Sequence, residues 1–538
     1  MPRESVHLIR GARVPAGDGL SGPCDVTIAD NRIAGITPAG CGRSGGGTVL
    51  DAGGRVLLPG LVDVHCHGAA AVFTPEVQLA LLRQGVTTIV VGQDGIGYAP
   101  SDAASYAWSA TYFAGIDGVS ERVGPGSVAA WLGSYDGAVP VNVAVCVPHG
   151  SLRYMVAGPA QRALRAGEVR RAGLLLEEGL RDGAVGLSTG LEYVPAAWAD
   201  RTEMVALLEV VARLGRVHSS HMRGYEAAAP GGVAELADWA RASGAATHIA
   251  HLHGDASVLG AALDEARAAG VGLTFDSYDY LRGYSLLSMV SLPTWLPLAD
   301  PGATVALLAA DPDVRRRLSE HLSGLDDLWE RTTMAWADGA DPVTGERWDW
   351  VAGLGVRDVA ARLGVAPAEA VLRLLTGTAL RACCVFAQPP TNSAASVAAL
   401  ADRAEHMGGS DAIYVPFAGD PAAGRPHPRG WGATTRWLAG KVVRDGAWTW
   451  AQAVDHLSAR AVRRFGLGER GRLAAGAVAD LVLVDPLALR DQATYDRPRT
   501  PAMGVDDVLV AGVQVLSGGA LTGATPGGGL RWQAAGVR

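Results

Sequence analysis

The middle of this 538-residue chain alternates short apolar runs with Ala-, Leu- and Arg-rich stretches, and that alternation limits the fold more than any other feature. The runs are GLVDVHCH (60–67), TTIVVGQD (87–94), VNVAVCVP (141–148), GAVGLST (183–189), RVHSSHM (216–222), THIAHL (247–252), GLTFDSY (272–278), ACCVFAQ (382–388) and AEHMGGSD (404–411). Continuously apolar strands separated by helices belong to a parallel sheet covered on both faces. Eight such strand–helix units close into a (β/α)8 barrel. Of the nine runs, ACCVFAQ is the surplus, because it follows the long stretch 286–381, and an insertion is expected over about 286–400.

The two ends have a different texture. VHLIRGARV and DVTIADNRIAGI near the start, and GAVADLVLVDP and VDDVLVAGVQVLSGG near the end, are short strands broken by turn residues. Both ends are therefore β-rich and able to pair into one small sheet domain. The expected divisions are 1–57, 58–470 and 471–538, with GATPGGGL near the end as a flexible turn. Net charge is −8, the pI is near 5.9 and there is no Lys/Arg block, which argues against nucleic acid or an anionic membrane as partner. The six cysteines (24, 41, 66, 146, 383, 384) form no CxxC, as in a reducing compartment. The opening MPRESVHLIRGARVP has no apolar signal core, and no 18-residue uncharged apolar stretch occurs, so a cytoplasmic protein is expected. No feature specifies an oligomer.

The chemistry lies where the runs end. In a parallel barrel, functional groups gather at the C-terminal ends of strands. His65 and His67 close the first run two residues apart, which puts both on one face. His221 ends the fifth run, His251 the sixth and Asp411 the last. Imidazoles and a carboxylate converging from four strand ends form the donor set of a divalent transition metal.

This constellation matches the amidohydrolase superfamily. GLSTGLEYVP, SSHMRGYEAA, DSYDY, GGSDA, RPHPRGWGATTRWLA, ARAVRRFGLGERGRLAAGAVADLVLVDP and LTGATPGGGLR narrow the resemblance to the N-acyl-D-amino-acid deacylase (D-aminoacylase) family. The resemblance implies a barrel with a small β-sandwich made from both termini and an inserted subdomain before the last strand. It implies one or two Zn2+ ions, with Mn2+ possible, and a small-molecule amide substrate. His221 and His251 would be the tight ligands, and His65 and His67 the second metal position. Asp411 would be the catalytic aspartate, serving a metal-bound hydroxide as general base and then acid. Arg429 and Tyr280 would hold the substrate's α-carboxylate. Tyr193 and Arg223 are further candidates for lining the substrate site.

Three departures stand out. The family's bridging cysteine, in a GNCG turn, is replaced here by Asp94 in Gly92-Gln93-Asp94-Gly95. Asp94 is a carboxylate able to ligate or bridge ions, and a harder donor than sulfur. The carbamylated-lysine bridge of other relatives is not available, since the single lysine, Lys441, is far from any early strand end. His253 stands where the family places a lysine, and Leu286 where a serine is expected, so the substrate pocket is expected to be altered. Two other readings compete: a cyclic-amide hydrolase or dipeptidase-like enzyme with the same metal chemistry, and a non-catalytic scaffold relative. Cys383 and Cys384 are expected to pack as small hydrophobes, and His149 and His406 to be structural.

Overall fold

The computed structural model describes residues 5–119, 122, 124–415 and 424–534. Eight parallel strands form the central sheet: β1 (Leu61–Asp63, resuming at Cys66–His67), β2 (Val86–Val91), β3 (Asn142–Pro148), β4 (Gly186–Gly190), β5 (Val217–His221), β6 (Ala246–Ile249), β7 (Thr274–Ser277) and β8 (His406–Gly408, resuming at Ala412–Ile413). The sheet closes on itself where Val64 N donates to Gly408 O at 3.3 Å and where Cys66–His67 pairs with Ala412–Ile413. Strands β2 and β3 are buried at every position, as expected of a sheet covered on both faces.

Helices return each strand to the next around the outside. Those starting at Ala103, Arg201 and Ala256 follow β2, β4 and β6, and each is capped by an aspartate, Asp102, Asp200 or Asp255. Each capping carboxylate accepts a first-turn N–H at 2.8–2.9 Å, which satisfies donors the helix cannot pair itself.

The two termini build a sandwich beside the barrel. One sheet holds Val6–Ala12, Cys24–Ala29, Arg32–Pro38 and Thr48–Asp51. The other pairs Val56–Pro59 with Leu481–Val484, Val505–Val510, Val513–Ser517 and Ala520–Leu521. Val6, Ile9, Val26 and Ile33 of the first sheet meet Leu57, Leu481, Leu483 and Leu509 of the second in one apolar core.

ACCVFAQ is not a barrel strand. Cys383–Ala387 is the middle of a three-stranded antiparallel sheet with Arg282–Leu286 and Thr332–Trp336, and helices between them complete an inserted subdomain with its own core. The insertion therefore starts at its first strand, Arg282, rather than at 286. The cysteines pack in that core.

GATPGGGL is not a free turn either. Gly529–Leu530 adds in parallel to β3, and Gly527 N donates to Val139 O at 3.0 Å. A Cβ on Gly527 would collide with the Val141 carbonyl and one on Gly529 with that of Leu132, so these glycines let the tail lie flat against the barrel wall. Among the described residues no helix is long and apolar enough to cross a membrane.

Candidate metal centre

The break in β1 creates the site. Asp63, the last residue before it, is buried, and its carboxylate accepts from His65 N at 3.2 Å and from Ser410 N at 2.8 Å. Asp411 N in turn donates to His65 O at 2.7 Å. These bonds hold the HxH turn and the end of β8 together at one mouth of the barrel.

Two groups of ligand atoms result, and they share one residue. His65, His67, Asp94 and Asp411 form one, while Asp94, His221 and His251 form the other, with all atoms of each group within 4.8 Å of one another. Asp94 Oδ2 lies 3.5 Å from His65 Nε2, 3.6 Å from His67 Nε2, 3.6 Å from His251 Nε2 and 4.0 Å from His221 Nδ1. Asp411 Oδ1 lies 3.4 Å from His67 Nε2 and 3.6 Å from His65 Nε2. Asp94, His251 and Asp411 all adopt left-handed backbone conformations (φ of 55°, 34° and 50°), strain that a rigid surrounding must hold.

The donor set suits a divalent ion. Neither ring nitrogen of buried His65, nor Asp94 Oδ1, has a hydrogen-bond partner among the described residues. Buried polar atoms left so are expensive unless something electropositive meets them. Burial pulls the His65 imidazole down, but Asp94 and Asp276 outweigh it and take it up to about 10. A field that favours a proton there favours any cation. Burial would raise Asp411, yet Arg429 and then His67 bring it to about 2, so it stands ionised.

The surroundings orient the imidazoles. Asp117 Oδ1 faces His67 Nδ1 at 3.1 Å, and Asp276 Oδ2 faces His65 Nδ1 at 3.5 Å while its Oδ1 accepts from His251 N at 3.0 Å. Glu192 Oε2 faces His221 Nε2 at 3.1 Å. Tyr225 packs 4.7 Å from His221 and 5.1 Å from His251. None of these four stood out in the sequence: Asp117 ends the short helix Ala114–Asp117 and belongs to no motif, and Asp276, Glu192 and Tyr225 sit inside motifs read for their neighbours.

A cavity of about 710 Å3 opens over the cluster, lined by His67, Asp94, His221, His251 and Asp411 at its floor, with Tyr193, Arg223 and His253 on its walls. Tyr193 OH is 3.1 Å from His221 Nδ1. His253 stacks on Tyr225 at 4.9 Å, and its Nδ1 lies 2.8 Å from His251 O. Arg223 anchors a loop, donating to Ala197 O and Ala199 O at 3.1 Å each.

Two expected carboxylate binders lie elsewhere. Tyr280 turns away, donating to Asp491 at 2.9 Å; Tyr278 lines the cavity instead, because the loop after β7 has lost the strand's alternation. Arg429 is fully buried behind Asp411, its Nη2 2.8 Å from Asp411 Oδ2, and is not among the lining residues. The lost hydroxyl at Leu286 is also corrected: Leu286 faces the insertion core, and the preceding Ser285 faces the cavity. Lys441 is remote from the cluster, bonded to Asp402 at 2.6 Å. His149 pairs with Glu203 at 2.8 Å and His406 with Ser277 at 3.0 Å.

Residues 48–516 match the amidohydrolase family. The chain belongs to that family. Within it the similarity is to the N-acyl-D-amino-acid deacylases. The chain is 31% identical to the N-acyl-D-glutamate deacylase of Alcaligenes xylosoxydans xylosoxydans over 511 residues, 93% of this chain and 91% of that protein. It is 28% identical to the D-aminoacylase of the same organism, covering 96% and 95% of the two chains. The structure of the Bordetella bronchiseptica N-acyl-D-glutamate deacylase, complexed with zinc and a phosphonate mimic of the tetrahedral intermediate, superposes with a TM-score of 0.75 at 28% identity, over 98% of this chain and 100% of that one. A D-hydantoinase structure shares the fold, with a TM-score of 0.53 at 16% identity.

Proposed function

We propose that this amidohydrolase removes the acyl group from N-acyl-D-amino acids whose side chain is bulky and apolar, with zinc held by His65, His67, Asp94, His221 and His251. The observation that carries the reading is the pair of ligand groups sharing Asp94 beneath a cavity that Asp411 also lines. A bound zinc ion supplies Lewis acidity, polarising an amide carbonyl and bringing the ionisation of water towards neutral pH.

The protein's own residues divide the remaining work. Asp411, ionised, accepts a proton at Oδ1 from the attacking water and returns it to the departing nitrogen. Arg429 does not touch substrate; its guanidinium holds Oδ2 and so aims Oδ1 at the histidines. Tyr193, Tyr278, His253 and Ser285 orient the amide from the walls.

The side-chain preference follows from the wall supplied by the insertion. Met289, Val290, Leu325, Leu328 and Phe386 line it, with Ile96 and Ile116 from the barrel side. The two arginines among the described lining residues are committed: Arg223 to Glu235 and two carbonyls, and Arg331 to Ala387 O at 2.5 Å with Glu226 3.8 Å away. A second substrate carboxylate would be desolvated without a free cation, which costs about 3 kcal/mol or ~10²-fold in kcat/KM. Rates for N-acetyl-D-leucine and N-acetyl-D-phenylalanine are therefore expected to exceed that for N-acetyl-D-glutamate by that order. A zinc-loaded enzyme that prefers the acidic substrate, or hydrolyses none of them, contradicts the reading.

A further inference from the structure

We propose that Glu192 is a positioning residue that fixes the His221 ring with Nδ1 towards the ion, and thereby sets the zinc affinity of the Asp94–His221–His251 group. The inference rests on reading that group as a zinc site.

A neutral imidazole binds a metal through the nitrogen without a proton, so the other nitrogen must carry it. His221 Nδ1 is the inward one, 2.9 Å from His251 Nε2 and 4.0 Å from Asp94 Oδ2. Its Nε2 faces the Glu192 carboxylate at 3.1 Å. An ionised carboxylate only accepts hydrogen bonds, so this contact requires the proton on Nε2 and leaves the Nδ1 lone pair for the ion. The Tyr193 hydroxyl, 3.1 Å from Nδ1, can donate or accept and selects neither tautomer. His251 Nε2, 2.9 Å from Nδ1, can likewise take either role, so among the described residues the Glu192 carboxylate is the contact that selects the proton on Nε2.

Glu192 is itself fixed. Its second oxygen accepts from Gly224 N at 2.9 Å. Gly224 begins the turn that carries Tyr225, whose ring lies over His221 and His251 and stacks on His253. Asp117 and Asp276 hold their imidazoles from full burial, whereas the Glu192 side chain is 42% exposed and lines the cavity. Of these three orienting carboxylates, Glu192 is the one an incoming substrate meets, and it ties the turn over the substrate to the orientation of a ligand.

The test is zinc affinity of the full-length protein, measured by competition with a chromophoric chelator. Glu192→Ala is expected to weaken the tightest zinc site by 10- to 100-fold, and Glu192→Gln, which keeps an acceptor oxygen, by less. The metal-stripped variants are expected to melt with the metal-stripped wild type, a readout that a purely structural role would move. Nitrogen-15 NMR of the zinc-loaded wild type should place the His221 proton on Nε2. Wild-type affinity in a folded Glu192→Ala, or a His221 proton on Nδ1, overturns the proposal, and if the alanine variant does not fold, a folded Glu192→Gln with wild-type affinity overturns it instead. A wild type that takes up no zinc overturns this proposal and the hydrolase reading together.

Discussion

Asp411→Asn is expected to cut hydrolysis by ~10²–10⁴-fold while the protein still binds zinc at the group formed by Asp94, His221 and His251. The amide has nearly the shape of the carboxylate, so the geometry at the end of β8 survives. What disappears is a group that can accept a proton, standing 3.4 Å from His67 Nε2 and 3.6 Å from His65 Nε2. The change has a second effect. Arg429 is fully buried, its guanidinium 4.7 Å above the Tyr278 ring, and it loses the carboxylate that neutralises it at 2.8 Å. Stripping one partner from a buried pair costs about 3–5 kcal/mol, so the thermal midpoint should fall as well. Circular dichroism and zinc content separate the two effects. A folded, zinc-loaded Asp411→Asn with wild-type kcat/KM would remove Asp411 from the mechanism.

Asp94→Ala is expected to have the largest effect on the metal. Asp94 is the one residue common to both ligand groups, and one of its oxygens lies within 4.0 Å of all four imidazoles. Its removal leaves those imidazoles without the anion that offsets an ion's charge between them. Outer-layer changes at metal sites already cost 10–100-fold in affinity, so loss of this carboxylate should cost ~10²-fold or more and take hydrolysis with it. Asp94→Cys is expected to recover zinc binding but to discriminate against manganese, because a thiolate is the softer donor. Titration of each variant with zinc and with manganese gives the result. An Asp94→Ala protein that binds zinc as the wild type does would place the ion elsewhere.

What the sequence made legible, and what it hid, follows from the range over which each signal acts. Strands such as β2 and β3 could be read because burial on both faces writes a largely apolar run, β5 (VHSSH) by its place between two helical stretches, and His65 and His67 because alternation along a strand is a local rule. Cys383–Ala387 imitates a barrel strand for the same reason: it is the middle strand of a small sheet and almost as buried, and strand direction leaves no mark on composition. Tyr278 and Tyr280 could not be told apart, since the loop after β7 obeys no period. The place of Arg429 at substrate is implied by the resemblance alone, and the Asp411 carboxylate that pairs with it at 2.8 Å is brought beside it only by the fold. Asp117 lies 50 residues from the His67 it orients, and Glu192 lies 29 from His221. Only the closed barrel brings them together.

The most direct test of the account is the metal content and its position in crystals of the full-length protein grown with zinc. Anomalous difference maps at the zinc edge are predicted to show density among His65, His67, Asp94, His221 and His251, with at least one zinc per chain by elemental analysis. A chain carrying no zinc, or zinc bound only outside those five side chains, would contradict it.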